Sequence, residues 1–435
     1  MLRARRSRWW VRWLFRLALV TATLGALEAG FRVLLRARGA PYDAAAVHSS
    51  LRARLRAFDG GTFLDRTRSE PRSPEAEKTR HILHPFYGWQ TGAGRTKLEA
   101  RMRETRRLPR NAYLIWIVGG SVAGIFGNPG SGLEPLVERL SDDPRLAGRN
   151  VVVHNYARAA YKEPQQLMLV AHLFSLGLEP DAVINIDGFN EVAIGNMNAL
   201  AGAHPTYPDL TQWGFVAVES DADPRLDDIE ASARRLARRA RWLGDGVLAS
   251  GLYRSAVVGW WTERSLGNLA WKHTRLETEY KNRVLSLAGT DTLRGPARGE
   301  DRDRFDVIVT SWVESSRALH ALCATHSALY LHVLQPTLHD EGSKPLTPEE
   351  IQSANISDSW LEGVRVGYPR LRAAAAELRD AGVAFLDASR VFEQASQTLY
   401  YDLCHFNAEG NHLLAGRVAD AFLAALPARV RPRGH

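Results

Sequence analysis

The sequence predicts an α/β protein: a three-layer α/β/α fold around a five-stranded parallel sheet, with a helical insertion and an N-terminal transmembrane helix. Three observations lead there. Apolar runs of strand length at 112–118, 150–155, 182–186, 329–334 and 384–386 are separated by longer segments, several with helical periodicity. The first three runs break into Gly, Asn or Asp at their carboxyl ends, where open α/β sheets hold their ligands. An uncharged, mostly apolar stretch at 17–27 follows a crowd of arginines at the start of the chain.

Taken in order, Arg3, Arg5, Arg6 and Arg8 lead into Trp9-Trp10-Val11-Arg12-Trp13-Leu14-Phe15-Arg16, then the apolar stretch, then Glu28-Ala29-Gly30-Phe31-Arg32. The uncharged run alone is too short to cross about 30 Å of hydrocarbon. Arg12 and Arg16 can snorkel to one face, and Glu28 and Arg32 can pair one helical turn apart near the other. Residues 9–35 are therefore expected to form one signal anchor behind a basic tail at 1–8. A cleaved signal peptide is the rival reading, but the small-x-small triplet Ala37-Arg38-Gly39 lies far from the apolar core. Positive charge before the span puts the tail inside and the rest of the chain outside the membrane, in the periplasm if the cell is bacterial.

Residues 36–110 are charged and punctuated by Asp59-Gly60-Gly61 and by Pro71 and Pro74, as in a stalk, with His84-Pro85-Phe86-Tyr87-Gly88-Trp89 expected to dock on the core. The core's first half covers 111–194, with a helix over 163–176. The pattern then lapses over 195–304, an insertion with helices near 227–243 and 266–287. It concentrates Trp213, Trp242, Trp260, Trp261 and Trp271, read as a lid, as ordinary packing or as a membrane-facing surface. Alternation resumes over 305–428 with a helix at 307–325. Thr347 and Pro348 make a good helix start, and a long helix to 380 follows. A last helix spans 408–426, and 429–435 is a tail.

Composition narrows the function. A hydrophobic fraction of 45% with 24% charged residues is that of a globular protein. The net charge of +8 is largely arginine, clustered at the N-terminus, at Arg101–Arg110 and at Arg234–Arg241. No nucleic-acid motif accompanies it, so solvated helix faces or attraction to anionic lipid or glycan are the better readings. Two cysteines, Cys323 and Cys404, make no disulfide framework. Cys404 reads as a small semi-buried residue rather than a nucleophile. No cluster has metal-ligand spacing and no glycine-rich loop cradles phosphate, so neither metal nor cofactor is expected.

The chemistry sits in Gly119-Gly120-Ser121 and Asp402-Leu403-Cys404-His405. A serine hydroxyl becomes a nucleophile when a histidine takes its proton, and a carboxylate orients that histidine. His154-Asn155-Tyr156-Ala157-Arg158-Ala159-Ala160 and Asp187-Gly188-Phe189-Asn190-Glu191 close the second and third runs. With these blocks, residues from about 112 to 426 resemble the SGNH/GDSL hydrolase superfamily, in its membrane-anchored bacterial form. The resemblance implies a flavodoxin-like core with catalytic Ser121, Asp402 and His405. It also implies an oxyanion hole from the Ser121 and Ala157 N–H groups and the Asn190 side chain. Arg158 and Glu191 flank these donors as candidate substrate contacts. His154 and His412 read as structural, and His332 and His339 as pocket residues without a motif. Two departures stand out: Gly120 replaces the usual Asp, and Ala157 and Ala160 occupy positions that are usually glycine, losing easy access to positive φ. The implied activity is an O-acyl esterase or acyltransferase acting on an acyl ester, carried on an envelope or secreted glycan. A lipase or lysophospholipase, or a non-catalytic glycan-binding or assembly protein with a vestigial site, are the alternatives.

Overall fold

The computed structural model of the chain describes residues 4–56, 58, 78, 80–217, 223–288, 303–353 and 356–430. The Asp59-Gly60-Gly61 and Pro71/Pro74 stalk signals lie outside the described residues, as do 1–3 of the basic tail, 289–302 and the tail from 431 onward. Two compact units emerge: Met1–Thr79 with Glu219–Val284, and Arg80–Val218 with Leu285–His435.

In the second unit the five apolar runs form one parallel sheet. After an antiparallel hairpin of β1 (His81–His84) and β2 (Gly88–Thr91), the sheet strands are β3 (Ala112–Gly119), β4 (Asn150–Asn155), β5 (Ala182–Asp187), β6 (Leu329–Leu334) and β7 (Ala384–Asp387). Their order is β4-β3-β5-β6-β7. Central β3 and β5 are buried along their whole length, as helices on both faces require, whereas the edge strands β4 and β7 are largely half-buried. Helices Leu133–Ser141 and Ala408–Ala425 pack together on one face; Gln165–Ser175, Phe189–Leu200, Arg304–Thr325 and Asp358–Asp380 pack on the other. The connection from β3 runs to β4 on one side and that from β5 to β6 on the other, so the strand order switches between β3 and β5, the place where open α/β sheets hold ligands at their carboxyl ends.

Local signals explain most boundaries. Thr347 and Glu350 cap Pro348–Ser353 reciprocally: the Thr347 N–H donates to Glu350 Oε2 (2.9 Å) and the Glu350 N–H to Thr347 Oγ1 (3.4 Å). The expected long helix to 380 is instead two helices, the second starting afresh at Asp358 behind Ser357. The β1–β2 hairpin docks on the same unit, with Tyr161 Oη donating to the Trp89 carbonyl and Gln165 Nε2 to that of Tyr87 (2.9 Å).

The first unit is helical. Helix Ala4–Ala37 includes a stretch, Arg12–Ala37, long and apolar enough to cross a membrane, with mean hydropathy 1.5 and none of it buried. Glu28 and Arg32 pair within it at 2.7 Å. Helices Ala44–Arg56, Pro224–Ser250 and Ala256–Ala288 pack around Leu51, Leu55, Ala240, Val247, Leu266 and Leu269. The last two run longer than their periodicity suggests. Asp223 caps the first by accepting from the Arg225 N–H (2.9 Å), and Gly251 at φ +71° ends it. Gly244 does not break that helix, because a Cβ there would lie 2.7 Å from Leu55 and the glycine lets the Ala44–Arg56 helix approach.

Candidate active site

Ser121 begins a helix, Ser121–Phe126, directly after β3. Its N–H therefore falls in the first turn, where no carbonyl four residues earlier receives it. The turn into the helix needs both glycines, for different reasons. Gly119 has φ +133°, a conformation other residues rarely adopt. Gly120 has φ −83°, open to any residue, but a Cβ there would overlap Nδ2 of Asn190.

Asp402 and His405 meet Ser121 across the sequence. His405 Nε2 lies 2.6 Å from Ser121 Oγ, and His405 Nδ1 lies 2.7 Å from Asp402 Oδ2. Asp402 Oδ1 accepts from the backbone N–H groups of Cys404 (3.0 Å) and His405 (2.8 Å), which fixes the carboxylate plane. Burial pushes the Asp402 carboxyl up, but the His405 ring and these two N–H donors outweigh it and hold it below the usual carboxylate range. The ordered Ser–His–Asp chain can pass a proton from Ser121 Oγ to His405 Nε2 while Asp402 stabilises the resulting imidazolium. Tyr401, 53% exposed, lies nearly parallel to the His405 ring (centroids 6.0 Å apart) and walls the site. No motif singles Tyr401 out in the sequence, although it adjoins the Asp402 block.

The oxyanion candidates fare differently. Asn190 opens the Phe189–Leu200 helix after β5; its Nδ2 donates to the Tyr161 carbonyl (2.8 Å), which leaves the amide a second N–H. The Ala157 N–H instead donates to Asn155 Oδ1 (3.1 Å), so it is not a free donor for an oxyanion. Asn155, whose Nδ2 also donates to the Gly124 carbonyl (2.8 Å), thus ties the second block to the serine helix. This role was legible only as an Asn in the resemblance block.

Arg158 is half-buried and Glu191 is buried, and both bond the protein's own backbone. Arg158 Nη2 donates to the Gly94 carbonyl (3.0 Å). Glu191 is 3% exposed and accepts from the Gly188 N–H (2.7 Å) and the Glu163 N–H (2.9 Å), locking the helix start that carries Asn190. Burial, with Asp187 nearby, pushes the Glu191 carboxyl up. Below it Asp187 accepts from Trp312 Nε1 (2.8 Å), His332 Nε2 (2.8 Å) and Asn185 Nδ2 (2.8 Å), and this assigns His332 to a fully buried structural network rather than a pocket. His154, 2% exposed, meets Thr105 Oγ1 at 3.3 Å, away from the triad.

Ala160 shows the strain its residue type implies. It sits at φ +61°, where an alanine pays about 1–2 kcal/mol relative to its right-handed form. Ala160→Gly is expected to raise the urea midpoint, since glycine occupies that conformation without the Cβ clash. An unchanged or lower midpoint would show that the entropy glycine adds to the unfolded chain cancels the relief.

Among the described residues, Asp402, Cys404 and His405 are near enough to share a metal ion. Burial pushes the Cys404 thiol well up, and His405 Nδ1 is committed to Asp402, so the donor set suits proton relay better than metal binding. A cavity lined by Arg106, Tyr113, Asp181 and Leu329 opens at the amino ends of β3, β5 and β6, the opposite end of the sheet from Ser121.

No family model and no curated protein matches the chain. Among solved structures it is similar to LAE5, an alpha/beta hydrolase enzyme from the metagenome of Lake Arreo, Spain, with 14% identity, TM-score 0.33, and 72% of this chain and 94% of that chain covered. It is likewise similar to Axe2, an acetylxylan esterase from Geobacillus stearothermophilus, with 11% identity, TM-score 0.34, and coverage of 74% and 97%. At these TM-scores the similarities add nothing to what the sheet order and the triad geometry say.

Proposed function

We propose that the protein is a membrane-anchored serine esterase or O-acyltransferase of the SGNH type. In this reading it works outside the cytoplasm on ester-linked acyl groups of an envelope or secreted glycan. The observation that carries the reading is the Ser121–His405–Asp402 chain, with links of 2.6 and 2.7 Å at the carboxyl ends of a parallel sheet. Ser121 Oγ attacks the ester carbonyl carbon as His405 Nε2 takes its proton. The Ser121 N–H and the second Asn190 N–H stabilise the oxyanion. On collapse the C–O bond to the alcohol breaks, and His405 returns the proton to the departing oxygen. Water or an acceptor hydroxyl then repeats the sequence on the acyl-enzyme, so the same residues serve hydrolysis and transfer. Anchoring is supported by the exposed apolar Arg12–Ala37 stretch, and its basic N-terminal flank favours an extracytoplasmic catalytic unit. The exposed face of Tyr401 beside His405 suits the apolar face of a sugar ring.

A second reading, a non-catalytic glycan-binding protein, draws support from the engaged Ala157 N–H, which leaves the oxyanion fewer donors. A fluorophosphonate probe on the detergent-solubilised full chain separates the two. Labelling is expected on the native protein and absent from Ser121→Ala and His405→Ala. A folded native protein that stays unlabelled would turn the reading to binding. Among esters, preference for long acyl chains would turn it to a lipase.

A further inference from the structure

In the helical unit, Pro224–Ser250 and Ala256–Ala288 are joined by a short turn that, with the first turns of the second helix, presents an apolar and aromatic surface. Leu252 (53%), Val257 (38%), Trp260 (42%) and Trp261 (54%) are exposed there, beside exposed Arg254 and Arg264. Soluble surfaces rarely gather large apolar side chains in this way without a partner.

The turn is fastened to one level of the N-terminal helix. Glu28 Oε1 accepts from the Ala256 N–H (2.7 Å), and Glu28 Oε2 accepts from Ser255 Oγ (2.7 Å) and the Val257 N–H (3.3 Å). The carboxylate thus caps the free N-terminal donors of the Ala256–Ala288 helix from another helix. Arg32 Nη2 donates to the Arg254 carbonyl (2.7 Å), and Phe31 meets Trp260 edge-on (centroids 5.5 Å). A glutamate at the end of an apolar stretch is costly unless its charge is satisfied, and here the docked turn and Arg32 satisfy it.

We propose that this turn is a second membrane contact. Leu252, Val257, Trp260 and Trp261 lie in the interfacial layer of the bilayer that the Ala4–Ala37 helix crosses, with Arg254 and Arg264 against lipid phosphates. The inference rests on the anchored reading above. Depth supports it: at 1.5 Å per residue, Arg12 to Glu28 rises about 24 Å, so with Arg12 snorkelling Glu28 falls near the outer limit of a ~30 Å hydrocarbon layer. Chemistry supports it too, because tryptophan and arginine are the side chains that settle at that boundary. The turn holds the helical unit down on the membrane instead of leaving it on a single pivot.

The test uses full-length protein in vesicles containing anionic lipid, with a nitroxide attached in turn at Val20→Cys, Trp242→Cys, Leu252→Cys and Val257→Cys. Both native cysteines, Cys323 and Cys404, are buried. Relaxation by lipid-soluble oxygen over a water-soluble nickel chelate is expected to be several-fold higher at 252 and 257 than at 242, where the tryptophan is 79% exposed. If Val20 reports lipid while 252 and 257 report water, the turn is not a membrane contact and the anchor stands. If 252 and 257 are shielded from both agents, a protein partner such as a second copy covers them, and the inference falls. If Val20 itself reports water, the anchored reading fails and takes the inference with it.

Discussion

Asp402→Asn is expected to lower turnover of a short acyl ester by about 10⁴-fold while the protein stays folded. The geometry supplies the reason. Asp402 Oδ1 is held by two backbone N–H donors, from Cys404 and His405. In the variant that place still requires an acceptor, so the asparagine oxygen stays there and its NH₂ group turns toward His405. An N–H facing Nδ1 makes Nδ1 the acceptor and puts the imidazole proton on Nε2. Nε2, 2.6 Å from Ser121 Oγ, then donates where it must accept, and the serine loses its base. The same substitution has a pH signature. Because the folded Asp402 carboxyl titrates below its usual range, it adds stability above the unfolded-state value. That stability is lost as pH falls through the lowered folded value. Asparagine cannot titrate, so urea midpoints of the variant should fall less steeply on the acid side than those of the native protein. Parallel acid limbs, or turnover reduced only slightly, would mean that Asp402 does not hold His405 in the manner described.

The fold was legible where burial imposes a pattern on consecutive residues. The continuous apolar run of β3 and the mixed run of β5 lie in the centre of the sheet, Asn185 and Asp187 of β5 being bonded by protein groups in place of water, and their ends are marked by Gly119 and Gly188 at positive φ. The Ser–His–Asp cluster was legible because Ser121 follows the end of β3 and the Asp402-x-x-His405 block lies just before the last helix. What stayed hidden depends on partners far along the chain. Asn155 looks like an oxyanion block residue, yet its side-chain amide reaches back to the Gly124 carbonyl, which turns its oxygen onto the Ala157 N–H. Glu191 looks like a neighbour of a catalytic donor, yet it faces inward to the Gly188 and Glu163 N–H groups. Glu28 reads as the partner of Arg32 at the end of an apolar helix, and nothing near it in the chain announces Ser255 and Ala256, more than two hundred residues away, as its further donors. Periodicity reports which face of an element is buried, but it carries no record of what covers that face.

Gly120 offers the sharpest case, because this departure from the superfamily pattern that the sequence resembles is explained by its neighbour. Its φ of −83° would admit any side chain, so the constraint is space: the Asn190 amide fills the volume a Cβ would take. On the proposed mechanism Asn190→Ala removes one oxyanion donor and should cost about 10²–10³ in turnover, with kcat and kcat/KM falling together because the interaction is made in the transition state. Gly120→Ala should reach a comparable loss by another route, since the new methyl displaces the same amide from its bond to the Tyr161 carbonyl. In the double variant the overlap with the Asn190 amide is gone and the methyl keeps only a 3.3 Å approach to the Tyr161 carbonyl oxygen, so the two losses should not multiply, and turnover should resemble that of Asn190→Ala alone. A double variant whose loss equals the product of the single losses would show that Gly120 acts on Ser121 directly. The crowding of Asn190 would then not be the reason for a glycine at this position.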